Sequence, residues 1–229
     1  MDLFDRNKMT HYPLNERSGN VAIADACICE DAWDSPISPM IEEKTKQIAN
    51  EIILARRKGA SVICAFGAHA IKNGLGRLMG QMLLNGWFSH TASNGTAVIH
   101  DWEFAFNGKS GEDAHATKET GLYINLALAV GAYQGLGYGA SVGNMIRNNG
   151  LRIPQREELL DRGETFLGGS RNSGSMNAVL TAFDLYELIE TLNIPSGFLS
   201  IPHPYSDYSL LAAERRAEHS FTCHPMFGH

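Results

Sequence analysis

The sequence has few of the residues that mark specialised protein classes. Its 229 residues include 4 cysteines and 8 prolines, and 19% of them are charged. Four cysteines are too sparse for a disulfide framework, and this composition excludes a coiled coil, a collagen-like chain and a disordered protein. A chain of this length can bury a hydrophobic core without disulfide bonds. We therefore expect a globular protein whose thiols are reduced.

Two further absences limit the partners and the location of the protein. The formal net charge is −6, and a chain without basic excess is a poor candidate for binding a nucleic-acid backbone. No apolar run approaches the roughly 20 residues that cross a bilayer. Residues 1–20 are polar and lack the apolar core of a secretory signal. We predict a cytoplasmic protein that binds neither nucleic acid nor membranes.

Patterns typical of helices and strands follow one another along the chain. Ser38 and Pro39 predict the start of a helix that ends in basic residues before Gly59. The continuous apolar run 60–66 predicts a buried strand, and it leads through Gly67 into another helix, which is the order of a parallel α/β sheet. Further strands are expected at 21–26, 87–92, 197–201 and 220–223, and further helices at 101–106, 121–134, 154–163, 176–192 and 208–216.

These patterns predict one α/β domain with a parallel sheet flanked by helices. We assign residues 1–20 to a polar N-terminal lead-in and residues 21–229 to the domain. A strand pattern followed by the glycine-containing segment 224–229 is typical of an α/β fold that continues into another helix. We therefore expect the domain to be C-terminally incomplete.

Two short segments follow predicted strands where a turn opens into a helix: Gly67, Ala68, His69 and Lys72 in the first, and Ser93, Asn94 and Gly95 in the second. In open parallel sheets, ligands bind at the carboxyl ends of strands, and helix N-termini attract phosphates. The two turns therefore indicate a nucleotide pocket if their strands are neighbours. Ordinary turns use the same residue types, so a helix cap at His69 and a plain Asn-Gly turn remain alternatives.

The densest cluster of titratable side chains is His100-Asp101-Trp102-Glu103. A histidine near neutral pH can serve as acid or base, and a nearby carboxylate can orient it. Adjacent helical residues do not share a face, so His100 and Asp101 need not act on one atom. The alternative is that Asp101 caps a helix and His100 is a packed polar residue of the core.

Two other motifs are weaker. Nine histidines occur without an H-E-x-x-H or a paired C-x-x-C motif, and Cys27-x-Cys29 has no second pair, so we predict no metal site. The segment Gly135-x-Gly137-x-x-Ala140 matches a dinucleotide fingerprint only superficially, because it follows a helix pattern rather than a strand. We interpret it as a loop or a tight contact between helices.

The stretch 67–114 resembles the deoxyhypusine synthase family, and is most similar to its bacterial deoxyhypusine synthase-like branch. The resemblance rests on Asn94-Gly95, on Ile99-His100-Asp101, and on the run Gly108-x-Ser110-x-Glu112-Asp113. A weaker similarity extends through 192–195 to 223–229. The family implies a Rossmann-like α/β fold, usually a homotetramer, with NAD bound near subunit interfaces. Its parent enzyme oxidises spermidine with NAD and transfers the aminobutyl group, through an imine on an enzyme lysine, to a lysine of a translation initiation factor.

By this resemblance, the segment Ala68–Lys72 corresponds to the first NAD-contacting turn of the family and 93–95 to the second. His100 and Asp101 stand where the family has acidic residues that touch NAD and the amine, and His224 stands near an aspartate that holds the cofactor. His69 and Lys72 depart from the small polar pair of the family, and Lys72 favours a carboxylate or phosphate over a polyamine. The imine-forming lysine of the family would lie beyond residue 229.

We therefore predict an NAD-dependent transferase of the deoxyhypusine synthase-like type, acting on a polyamine or an amino-acid-like amine through an imine. His100 is the expected acid or base, and Asp101 is expected to hold the substrate ammonium or a ribose. Two alternatives stay open: an NAD-dependent deaminase or cyclodeaminase of an ornithine-like amino acid, and a nucleotide-binding fragment without catalysis.

Overall fold

The protein is a mixed α/β structure. The computed structural model describes residues 10–17, 21–29, 36–111, 117–167, 173–219 and 221–224. The helices are α1 (Ile23–Ala26), α2 (Pro39–Arg57), α3 (Ala68–Lys72), α4 (Gly76–Leu84), α5 (Gly95–Asn107), α6 (Lys118–Tyr133), α7 (Tyr138–Asn148), α8 (Arg156–Leu167), α9 (Ser173–Thr191) and α10 (Leu210–Ala217). The strands are β1 (Val21–Ala22), β2 (Ile63–Ala65), β3 (His90–Asn94), β4 (Lys109–Ser110), β5 (Gly150–Ile153), β6 (Gly197–Ser200) and β7 (Phe221–His224). Within these ranges no helix is both long and apolar enough to cross a membrane.

A three-stranded parallel sheet has the order β2-β3-β7. Ala65 pairs with Ala92 on one side of β3, and Asn94 pairs with His224 on the other. The prediction of a parallel sheet is therefore confirmed for these strands. Two small antiparallel pairs accompany it, β1 with β4 and β5 with β6.

Helix α2 begins and ends where its caps predict. The Ser38 hydroxyl accepts a hydrogen bond from Ile41 N at 3.4 Å, Pro39 is the first helical residue, and Gly59 follows with φ +68°. The apolar residues of this helix are nevertheless exposed: 57% of Ile48 is accessible to solvent, and none of the 19 residues is buried. The capping signals thus located the helix correctly, but the described part of the chain does not cover its apolar face.

The main core lies among α5, α6, α7, α9 and α10. Trp102 is fully buried there and stacks on Phe106 with ring centroids 4.8 Å apart. Close helix packing depends on small residues of α7, because a Cβ at Gly143 would lie 2.6 Å from the Leu211 carbonyl oxygen. Gly137 is the N-cap of α7 and a Cβ placed on it would meet nothing within 4 Å, which agrees with the interpretation of this glycine-rich segment as a helix break rather than a tight helix contact.

Residues 10–17 pack against the body of the fold. Tyr12 forms a parallel bridge with Thr117, and Leu14 is buried in the main core. The Leu14 amide donates a hydrogen bond to Glu119 Oε2 at 2.9 Å. The described part of the predicted lead-in is therefore attached to the domain at several points.

Some predicted elements were wrong in type or extent. Residues 21–26 are not one strand, because only Val21 and Ala22 pair with β4 and a helical turn begins at Ile23. The predicted helix 101–106 starts earlier, at Gly95, because the Asn94 side chain caps it. Strand β5 was not predicted, and it is formed by antiparallel pairing with β6.

Candidate functional site

Three chain segments meet at the carboxyl edge of the parallel sheet. Gly67 follows β2, Asn94 ends β3, and His224 ends β7 as the register partner of Asn94. The amide of Phe66 donates to the Ala92 carbonyl at 3.1 Å, which continues the ladder into the first turn. The structure thus brings together both predicted turns and His224, at the kind of sheet edge where α/β proteins bind ligands.

Two polar side chains at this edge hold the turns in shape. The Ser93 hydroxyl donates to the Phe66 carbonyl at 2.7 Å, so it ties the second turn to the first. Asn94 Oδ1 accepts from Ala97 N at 3.0 Å and caps α5. These contacts give Ser93 and Asn94 structural roles. Gly95, the first residue of α5, is buried directly behind them.

The other residues predicted for the site lie on the solvent-facing surface of this sheet edge. Gly67, His69 and His224 are exposed, whereas Ala68 and Lys72 are half-buried. A Cβ placed on Gly67 would meet nothing within 4 Å, so the space above this turn is open. A ligand at this edge would therefore meet backbone amides and the side chains of α3, rather than Ser93 or Asn94.

His100 lies behind this edge in a buried chain of hydrogen bonds. Its Nδ1 is 2.7 Å from Ser110 Oγ, and that hydroxyl donates to Glu103 Oε2 at 2.6 Å. Arg17 forms a bidentate pair with Glu103 at 2.9 Å and 2.8 Å. Thr120 donates to the other carboxylate oxygen at 3.1 Å. The four groups therefore fix the orientation of the imidazole ring.

This chain of bonds determines which nitrogen of His100 carries the proton. Ser110 has one hydroxyl hydrogen, and the Glu103 carboxylate can only accept, so the hydrogen is directed to Glu103. The Ser110 oxygen must then accept from His100, which places the imidazole proton on Nδ1. In the neutral ring, Nε2 is therefore the nitrogen with a free lone pair.

The surroundings keep His100 neutral near physiological pH. Burial lowers the pKa of His100, and although the Glu103 charge acts in the opposite direction, the positive charges of Lys72, Arg17 and His69 lower the pKa further. Helix α3, which carries Lys72 and His69, packs directly against α5, the helix of His100. His100 thus has the properties of a general base with its Nε2 unprotonated.

Asp101 faces another part of the molecule. It accepts hydrogen bonds from Ser209 Oγ at 2.5 Å, Leu210 N at 2.9 Å and Leu211 N at 3.2 Å, so it binds the N-terminus of α10. Burial raises the pKa of Asp101 to about 6, while the three hydrogen bonds act in the opposite direction. The structure therefore separates His100 from Asp101, as adjacent positions of a helix predict, and gives Asp101 a capping role.

Sequence reasoning missed two members of this region. Arg17 lies in the polar lead-in, and no local pattern predicts that it pairs with Glu103 across 86 residues. Glu214 is buried on α10 and accepts a hydrogen bond from Thr91 of β3. Burial raises the pKa of Glu214 to about 8; the charge of Asp101 acts in the same direction, and the hydrogen bond from Thr91 acts in the opposite direction. The predicted motif residues at 112 and 113 lie outside the described residues.

A separate cavity of about 430 Å³ lies between α6, α7 and β5. It is lined by polar side chains such as Gln134, Asn144 and Arg152, and by none of the predicted site residues. In the described part of the chain, no three His, Cys, Asp or Glu side chains gather into a possible metal site. No family model, curated protein or solved structure gives a significant match to the chain.

Proposed function

We propose that the protein is an NAD-dependent enzyme of the deoxyhypusine synthase-like type with a Rossmann-like fold. The observation that carries this proposal is the meeting of the Gly67 turn, the Asn94-Gly95 turn and His224 at one edge of a parallel sheet. A buried base, His100, lies behind the same edge. Dinucleotides bind at this edge in open α/β folds.

The residues present fit a nucleotide. Gly67 leaves open space where a side chain would block a diphosphate, and its backbone can approach the ligand closely. The start of α3 has no side-chain cap, and its backbone amides are suited to phosphate oxygens. His69, Lys72 and His224 would add positive or hydrogen-bonding groups around such a ligand. Ser93 and Asn94 would support these turns from behind.

When bound, NAD would accept a hydride from a carbon that carries nitrogen, which leaves an imine. The part of this chain is to remove a proton from that nitrogen, and we assign this to Nε2 of His100. Ser110, Glu103 and Arg17 act as positioning residues, because they fix the ring and its Nδ1 proton. Since burial lowers the pKa of His100, we expect the base to stay active below pH 6.5 and to be lost as the pH falls through that lowered value.

The substrate class follows from the charges near His100. The Asp101 carboxylate already accepts hydrogen bonds from the N-terminus of α10. A substrate ammonium or a ribose would therefore bind to a residue other than Asp101, which the sequence had suggested for this role. The proximity of Lys72 to His100 favours a substrate that also has a carboxylate. A polyamine and an amino-acid-like amine both remain candidate substrates for aminoalkyl transfer, and Lys72 specifically supports a deaminase or cyclodeaminase of an ornithine-like amino acid as second candidate. A nucleotide-binding fragment without catalysis is the third.

We further propose a homotetramer in the cytoplasm. The exposed apolar residues of α2, among them Ile41 and Ile48, support contact with other subunits. Burying about 800 Å² on each partner is typical of a stable interface. Sedimentation velocity of the purified protein measures the oligomeric state directly, and a monomer at micromolar concentration would refute this part of the proposal.

The first experiment is calorimetric titration of the protein with NAD, using a matched pair of glycine variants. Gly67 and Gly137 are both N-caps in extended backbone conformation, and neither has an atom within 4 Å of an added Cβ. Both Gly67→Val and Gly137→Val should therefore fold. We expect Gly67→Val to weaken NAD binding at least tenfold and Gly137→Val to bind like the wild type. Equal NAD affinity in the two variants would remove the first turn from the site.

The second experiment separates the three functions. NADH formation on addition of spermidine or ornithine, followed at its absorbance band, would support an enzyme. Release of free ammonia would favour deamination over transfer. NAD binding without any amine-dependent NADH would leave the non-catalytic alternative. His100→Gln should abolish NADH formation while NAD still binds, since the glutamine cannot accept the proton.

A further inference from the structure

Cys27 and Cys29 lie side by side directly after α1. Their sulfur atoms are 3.7 Å apart. Cys29 is exposed and Cys27 is half-buried. The backbone around them is held in place, because Cys27 N donates to the Ile23 carbonyl at 2.9 Å and Ile28 N donates to the Gly74 carbonyl at 3.1 Å. Both thiols are therefore presented on the same side of a fixed segment.

We propose that Cys27 and Cys29 are a redox-active pair that closes to a disulfide when it meets a small disulfide such as oxidised glutathione. A disulfide needs sulfur atoms about 2 Å apart on α-carbons separated by about 4.4–6.8 Å. The ends of a three-residue extended segment are about 6.6–7.2 Å apart at most, so two such cysteines can meet this requirement. Side-chain rotation that brings the sulfurs about 1.7 Å closer would complete the bond.

The other two cysteines have neither a neighbouring thiol nor the exposure of Cys29. Cys64 on β2 and Cys223 on β7 lie on opposite sides of β3, hence at least about 10 Å apart, so they cannot pair with each other. Burial raises the pKa of Cys64, and it raises the pKa of Cys223 to about 12. Both are therefore slow to form the reactive thiolate.

Within the pair, exposure assigns the roles of attacking and resolving thiol. Burial raises the pKa of Cys27, as do its hydrogen bond and proximity to Cys29, whereas the positive charge of Arg77 acts in the opposite direction. Cys29 is the more exposed of the two residues, so it is the thiol that a small disulfide reaches first. Cys27 then acts second, with the Cys29 sulfur already beside it.

The reaction balances with one equivalent of oxidised glutathione. The Cys29 thiolate attacks one glutathione sulfur, the glutathione S–S bond breaks, and the first glutathione leaves as a thiolate that takes up a proton. Cys27 loses its proton to water and attacks the Cys29 sulfur, which expels the second glutathione. Two protein thiols are thereby oxidised to one disulfide, and one glutathione disulfide is reduced to two thiols.

Closing this ring also affects the neighbouring turn between α3 and α4. Gly74 has φ +84°, and an added Cβ would lie 1.9 Å from the Ala26 carbonyl oxygen, so the two segments are in close contact. A ring that spans only three residues constrains the backbone at Ile28. We therefore expect the hydrogen bond from Ile28 to Gly74 to weaken on oxidation, and the Ile28 amide to exchange its hydrogen faster. The disulfide does not depend on the proposed nucleotide site.

The experiment is a titration of the whole protein with mixtures of oxidised and reduced glutathione, followed by peptide mass analysis. Trypsin releases both cysteines in the peptide 18–44, while Cys64 and Cys223 appear in 59–72 and 217–229. We expect 18–44 to lose two hydrogens as the glutathione mixture becomes oxidising, and to regain them with dithiothreitol. The other two peptides should stay reduced. The proposal would be overturned if the peptide 18–44 became oxidised only in mixtures that also oxidise the other two peptides.

Variants of the two thiols test the order of the steps. We expect Cys27→Ser to accumulate glutathione bound to Cys29, because the resolving thiol is absent. Cys64→Ser, the control, should form the 27–29 disulfide like the wild type. If Cys27→Ser did not retain glutathione, or if the wild type retained it without closing, the pair would not act as described. An unchanged exchange rate of the Ile28 amide would refute the effect on the α3–α4 turn.

Discussion

Replacing Glu214 with glutamine should make the stability of the protein less sensitive to alkaline pH. The Glu214 side chain is 2% exposed, it accepts a hydrogen bond from Thr91, and its Oε2 has no hydrogen-bond partner in the described part of the chain. A carboxylate in this position would be desolvated and only half satisfied, so the folded state prefers the protonated acid. Glutamine has nearly the same size and never ionises, and it can still accept from Thr91.

The size of the effect follows from the change in pKa on folding. Burial raises the pKa of Glu214 from 4.5 to about 8. Because the folded state binds the proton more tightly, the stabilisation is complete below pH 4.5 and is lost as the pH rises toward 8. Between about pH 6 and about pH 9, the loss occurs only up to the folded pKa of about 8, which is roughly two pH units. At about 1.4 kcal/mol per pH unit, the unfolding free energy falls by at most about 3 kcal/mol.

Urea unfolding at several pH values, followed by tryptophan fluorescence, measures this loss. Buried Trp102 gives a signal that depends on the folded core. From about pH 6 to about pH 9 we expect the wild type to lose up to about 3 kcal/mol and Glu214→Gln to lose less than about 1. Glu187 is exposed, so Glu187→Gln is the matched control and should keep the wild-type slope. Asp101, with a pKa of about 6, contributes mainly below this range.

One result would refute this reasoning. If Glu214→Gln kept the full alkaline loss of stability, the titration of another group would be responsible, and the raised pKa assigned to Glu214 would be wrong. A slope of zero in all three proteins would mean that the folded and unfolded states bind protons equally in this range.

Two further predictions concern the buried carboxylates. Arg17→Ala leaves Glu103 buried without its cation, and we expect it to cost about 3–5 kcal/mol of unfolding free energy. Lys46→Ala, which removes an exposed ion pair on α2, should cost less than about 1 kcal/mol, and similar losses in both would contradict the burial argument. Ser209→Ala removes both a donor to Asp101 and the side-chain cap of α10, so the unfolding free energy should fall by about 1–3 kcal/mol. An unchanged thermal midpoint in Ser209→Ala would show that the cap is dispensable.

The parts of the fold that sequence patterns predicted well are those set by local chemistry. The bounds of α2 follow from Ser38, Pro39 and Gly59, each of which acts within a turn of its own position. The strand run before Gly67 and the C-terminal strand were also located correctly, although β2 is shorter than expected. The prediction that β2 is buried was wrong, because Ile63 and Ala65 are exposed. Such signals are independent of the rest of the molecule, which is why they can be read from sequence.

The parts that were missed depend on distant partners. The strand β5 exists because it pairs with β6, and its own residues, beginning with Gly150, have no strong strand pattern. Asp101 was expected to face a ligand, but the N-terminus of α10, 109 residues away, provides its donors. The exposure of Ile48 could not be anticipated, since an apolar helical stripe predicts burial without saying what covers it.

Only the placement of the candidate site at one edge of the sheet could be anticipated from the sequence. The two turns were expected to meet if their strands were parallel neighbours, and His224 was placed beside them by the family resemblance; the order β2-β3-β7 brings all three to one edge. The sequence did not reveal that Ser93 and Asn94 would be used to hold the turns, because hydroxyl and amide side chains serve ligands and caps equally well. Nor did it reveal that Ser110 links His100 to Glu103.

The attachment of residues 10–17 has a consequence for synthesis on the ribosome. Arg17 leaves the ribosome 86 residues before Glu103, and Leu14 leaves 105 residues before Glu119. At translation rates of about 5–20 residues per second, this delay is roughly 5–20 s. During that time Leu14 has no core to enter, so the segment is open to chaperones and proteases. The bonds that orient His100 are thus completed only when the middle of the chain has emerged and the early segment folds back onto it.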